Sequence, residues 1–77
     1  MELFNATCGH ALAHGILTKK GNFDRAAKQE KLAINCLRQA FDSGFQDFDL
    51  AGNDSDLDSI RDNPEFKELL KTFDSKQ

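Results

Sequence analysis

The chain has 77 residues and a formal charge of −3, and its aromatic residues are seven Phe with no Trp or Tyr. A chain this short buries only roughly 60% of the surface its unfolded form exposes, which argues against a deep catalytic cleft. Residues 1–40 carry six Lys/Arg against three Asp/Glu and residues 41–77 four against ten, so no continuous basic face is expected and nucleic-acid binding is disfavoured. Apolar runs are only a few residues long and Met1 is followed by Glu2, a pattern of neither signal peptide nor membrane span. Two cysteines without CxxC spacing, Cys8 and Cys36, are expected to be free thiols in a reducing cytoplasm.

In chain order, the first predicted element is a helix over about 3–17, with Phe4, Cys8, Ala11, Leu12 and Ile16 at helical spacing. The small residues Ala6, Gly9 and Ala13 lie near one strip and would admit a second helix at close range. A glycine inside a helix costs about 1 kcal/mol relative to Ala, so Gly9 is expected to have a packing reason. Thr18-Lys19-Lys20-Gly21-Asn22 then breaks the pattern, with lysines at the negative helix end and Gly21 suited to a left-handed cap. A second helix follows over about 23–43, capped by Asn22 or Asp24 and ended by Gly44. Its stripe is Phe23, Ala26, Ala27, Glu30, Ala33, Ile34, Leu37, Ala40 and Phe41. The short connection makes the two an antiparallel helical hairpin.

Short helical turns are expected over about 46–60, anchored by Phe45, Phe48, Leu50, Leu57 and Ile60. The segment is too apolar for a disordered acidic tail. Asn63-Pro64-Glu65 is a helix start, with Asn63 as N-cap and Pro64 in the first turn. The C-terminal helix runs over about 64–73 and presents Phe66, Leu69, Leu70 and Phe73 on one face, before a polar end, Asp74 to Gln77, that is expected to fray. The fold class is therefore all-α, a single domain over 1–77.

Ala33, Leu37 and Ala40 stand at the A-x3-F-x2-A spacing of the second helix of a tetratricopeptide repeat, with Leu for the aromatic. Asn5, Cys8, Gly9 and Leu12 occupy the W-x2-L-G-x2-Y positions of the first helix, where Gly9 alone matches in type. Leu37-Arg38-Gln39-Ala40-Phe41 with Gly44, followed by Asp54 to Phe66, resembles the closing segment of bacterial tetratricopeptide proteins, "L-x-x-A-x-x-x-G" leading to "D-x-D-L-D-x-L-R-x-x-P-x-F-x-x-L-L". The chain departs from the family in lacking first-helix aromatics, in exceeding the spacing of about 34 residues between Ile16 and Glu30, and in having no second full repeat. The resemblance implies a TPR-like stack of helical hairpins, a protein or peptide as partner, or the preceding repeats of a longer chain, and no cofactor. It places Leu3, Ala6, His10 and Ala13 at groove-facing, partner-binding positions.

Three sharper chemistries compete with that expectation. His10 and His14 share a helix face and could chelate a metal, but Cys8 lies about half a turn away and no third and fourth ligands are spaced for a structural zinc. Asp47-x-Asp49-x-Ala51-Gly52-x5-Asp58 has the outline of a calcium loop, broken by Ala51, Asp54 and the short Asp58; N-caps and a solvated face account for these aspartates. Cys8 as a nucleophile would have His10 or His14 as base, but no orienting group or oxyanion donor is evident, so no catalysis is expected. Cys8 and Cys36 could also meet between the helices as a disulfide, against the commoner buried free thiols.

Overall fold

A computed structural model describes residues 2–74; of the polar end expected to fray, Asp74 is instead the last helical residue, and residues 75–77 lie outside the described residues. The fold is all-α: α1 (Glu2–Lys19), α2 (Phe23–Asp42), α3 (Phe48–Asn53), a 3-10 helix (Ser55–Ile60) and α4 (Pro64–Asp74). No strand occurs among the described residues. The helices α1 and α2 form a hairpin. The 3-10 helix lies against the other flank of α1, and α4 closes the molecule against α2 and α3.

Both long helices end in the same way. After α1 the amide of Gly21 donates to Thr18 O at 3.0 Å and that of Asn22 to Leu17 O at 2.9 Å. After α2 the amides of Gly44 and Phe45 repeat the pattern on Phe41 O at 3.1 Å and Ala40 O at 3.0 Å. Each is a Schellman closure, which needs a left-handed residue; Gly21 (φ 78°) and Gly44 (φ 107°) supply it. Phe45 is thereby turned back onto the core, 5.9 Å from the Phe41 ring and 4.8 Å from that of Phe4. At the start of α2, Asn22 occupies the cap position, but its side chain makes no capping bond and its carbonyl alone receives the Ala26 amide.

One core runs through all the elements, built on Phe4, Ala11, Ile34, Leu37, Phe41, Leu57, Ile60, Phe66 and their neighbours. Four expectations are corrected. Phe23 and Ala27 are exposed, Phe23 by 67%, because α2 outruns its cover at this end and burial begins at Ala26. Leu50 points outward and Ala51 is buried in its place. Gly9 has open space where a Cβ would stand, so no helix approaches it. The close approach is at Gly15, where a Cβ would lie 3.3 Å from Ser59 Cβ.

Leu12 and Ile16 are likewise not core residues but 48% and 55% exposed. The buried face of α1 is centred on Phe4, Thr7, Cys8 and Ala11, and the 3-10 helix is too narrow to cover the flank beyond it. Thr7, a polar residue in this apolar strip, donates its hydroxyl to Leu3 O at 3.0 Å and so carries no unmet hydrogen bond inside.

Candidate functional site

The seam between α1 and the 3-10 helix gathers most of the chain's chemistry. Its position is fixed by Asp54, whose Oδ1 accepts the Asp56 amide at 2.9 Å and starts the 3-10 helix. At the far end, Arg61 donates to Asp58 Oδ1 at 2.8 Å, to Asp54 O at 2.7 Å and to Gly52 O. One guanidinium thus ties the end of α3 to both ends of the 3-10 helix. Ser59 then docks the segment on α1, donating to Ala11 O at 2.7 Å.

Because the Ser59 hydroxyl hydrogen is committed to Ala11 O, its oxygen accepts from His14 Nδ1 at 3.1 Å. His14 therefore carries its proton on Nδ1, and its Nε2 faces Glu30 Oε2 of α2 at 3.8 Å. His10 donates through Nδ1 to Gln29 Oε1 of α2 at 2.6 Å. The two histidines thus join α1 to its neighbours, and they belong to no three-ligand cluster among the described residues.

A depression of about 390 Å³ runs along this seam. Leu12, Ile16, Ala11 and Gly15 form its apolar side, Asp56 and Asp58 one lip, and Lys19 its end. A second depression, about 620 Å³, lies at the opposite end of α1 beside Leu3, Phe4 and Phe45. The four partner-binding candidates of the sequence all stand on α1. Leu3 packs on the core and lines that second depression, His10 is bound to Gln29, and Ala6 and Ala13 are half-buried on α1.

At the end of the seam the Cys8 sulfur lies 4.0 Å from Asp54 Oδ2, and Cys8, Asp54 and Asp56 each offer an atom within 4.8 Å of the others. Burial, followed by the charges of Asp54 and Asp56, pushes the Cys8 thiol from 9.0 up to about 11. Such a thiol stays protonated at neutral pH, the opposite of what a nucleophile needs. Both cysteines are free, and Cys8 faces the 3-10 helix. The calcium-loop aspartates do not converge: Asp47 caps α3 through the Leu50 amide at 3.0 Å, Asp58 pairs with Arg61, and only Asp54 and Asp56 approach a common point.

Among the described residues no helix is long and apolar enough to cross a membrane. The chain matches no family model, no curated protein and no solved structure.

Proposed function

We propose that the protein is a protein-recognition module of the tetratricopeptide type, a single hairpin with its closing cap, that binds an amphipathic basic segment of another protein along the seam of α1 and the 3-10 helix. The observation that carries this is the pairing of Leu12 and Ile16, large aliphatic side chains about half exposed one turn apart, with the carboxylates of Asp56 and Asp58 across the depression. Aliphatic anchors in a groove give affinity, and a lip of one charge selects partner and orientation. The acidic excess of residues 41–77 extends the same preference beyond the groove. Lys19 at the far end disfavours a segment that is basic throughout.

The tetratricopeptide assignment is supported by Ala33, Leu37 and Ala40, all buried along α2, and by the cap of α4, where Asn63 Oδ1 accepts the Glu65 amide at 2.7 Å. Recognition is favoured over catalysis because the thiol is held protonated and the histidines are committed to neighbouring helices.

Two fluorescent helical peptides with the same leucine spacing, one with Lys and one with Glu at the polar positions, test the reading by anisotropy. The Lys peptide is expected to bind, more weakly with rising salt, and to lose binding in Leu12→Glu and in Ile16→Glu. Equal binding of both peptides, or binding indifferent to both substitutions, contradicts it. Loss of binding in Ala6→Gln instead would move the surface to Leu3, Ala6, His10 and Ala13.

A further inference from the structure

Cys8 and Asp54 are 46 residues apart in sequence, yet the fold turns the thiol onto two carboxylates. The sulfur belongs to a residue only 9% exposed. Its thiol donates a long hydrogen bond to Asp54 Oδ2 at 4.0 Å and so points at the carboxylates. Asp54 is held in place by its other oxygen, which caps the 3-10 helix through the Asp56 amide. That division leaves Oδ2 directed toward Cys8. Asp56 is half-buried, and no hydrogen bond or ion pair engages its carboxylate among the described residues. The nearby cation does not neutralise the group, since Arg61 directs its guanidinium to Asp58 and to the carbonyls of Gly52 and Asp54.

We propose that Cys8 Sγ and one carboxylate oxygen each from Asp54 and Asp56 bind a borderline divalent cation of the zinc class, with water completing a four-coordinate site. The donor set decides the class. Calcium takes six to eight oxygens and magnesium an octahedron of oxygens, so a thiolate in a three-donor set suits neither. Zinc accepts sulfur at about 2.3 Å and carboxylate oxygen at about 2.0–2.2 Å, which places neighbouring donors of a tetrahedron about 3.5 Å apart. The three donors stand within 4.8 Å of one another, so binding draws them closer together, while Asp54 Oδ1 keeps its cap on the 3-10 helix. On binding, the S–H bond breaks, the metal–sulfur bond forms with the sulfur electron pair, and one proton leaves to solvent. The cation offsets the charges of the two carboxylates and the thiolate and ties α1 to the 3-10 helix, beside the Ser59 hydrogen bond and the buried Leu57 and Ile60. This inference does not rest on the peptide-binding reading, and its test contains no peptide.

Cobalt(II) titrated into the full chain under reducing, chelator-free conditions is the probe. The expected result is a sulfur-to-cobalt charge-transfer band saturating at one equivalent, displaced by zinc and not by calcium. The band should vanish in Cys8→Ser and persist in Cys36→Ser and in the His10→Gln/His14→Gln double variant. Loss of a metal's hydrogen-bonded support alone costs about 10–100-fold in affinity, so Asp56→Asn, at a half-buried position where folding is checked by circular dichroism, is expected to weaken binding at least about tenfold. Absence of the band in the unsubstituted protein overturns the site. So does a band that survives Cys8→Ser, disappears with Cys36→Ser, or is unchanged in folded Asp56→Asn.

Discussion

Gly9 and Gly15 stand on the same helix and meet opposite surroundings. A Cβ at Gly9 would meet open space, whereas one at Gly15 would press on Ser59, which is held by hydrogen bonds to Ala11 O and His14. Gly9→Ala is therefore expected to stabilise the fold by about 0.5–1 kcal/mol, the usual gain for removing an interior helical glycine, and Gly15→Ala to lack that gain. Urea unfolding of the two variants checks the difference. Cys8 offers a second single-residue test. With its thiol pushed up to about 11, the thiolate is a minority at pH 9, so alkylation of Cys8 in the presence of a chelator should be slow at pH 8 and keep accelerating between pH 9 and pH 11. Mass mapping should find the more exposed Cys36 modified first; equal rates at pH 8 would remove the burial argument. At this scale the sequence was a partial guide. Helical phase brought out Phe4, Ala11, Leu37 and Phe66, but it could not tell Gly9 from Gly15, because the difference lies in a segment more than forty residues away.

The elements follow from their ends. Gly21 and Gly44 close α1 and α2 by the same left-handed turn, and Asn63-Pro64 opens α4, so the breaks were legible as local chemistry. Arg61 was not. Nothing in the spacing of Gly52, Asp54 and Asp58 announces that one guanidinium will join all three. Hydrogen bonds made by charged groups contribute about 1.5–3 kcal/mol each when well protected, and the partly exposed setting of Arg61 lowers that figure. Arg61→Ala is expected to cost about 1–2 kcal/mol in thermal or urea unfolding, with Arg61→Lys recovering little because one ammonium cannot serve three acceptors in a fixed fork. The exposure of the α1 flank is hidden from the sequence for a related reason. Periodicity marks where Leu12 and Ile16 point, but not how wide the covering element will be, and a six-residue 3-10 helix leaves them about half exposed.

At the scale of the whole molecule, a basic hairpin half is closed by an acidic second half, and the seam where they meet carries two of the large apolar side chains that the core does not use, Leu12 and Ile16. The all-α plan and its hairpin were readable from apolar period and turn chemistry. The seam was not, since it depends on residues from opposite ends of the chain: Leu12 with Asp56, and Cys8 with Asp54. The resemblance to a tetratricopeptide repeat suggested binding along Leu3, Ala6, His10 and Ala13, whereas His10 is bound to α2 and the large exposed aliphatic side chains of α1 lie on its other flank. The most direct measurement is a map of backbone amide chemical shifts on addition of the Lys-bearing amphipathic peptide. Changes concentrated on residues 12–19 and 55–59, fading as salt is raised, are the predicted result. Changes confined to the Leu3, Ala6, His10 and Ala13 flank, or none at millimolar peptide, would contradict recognition at this seam.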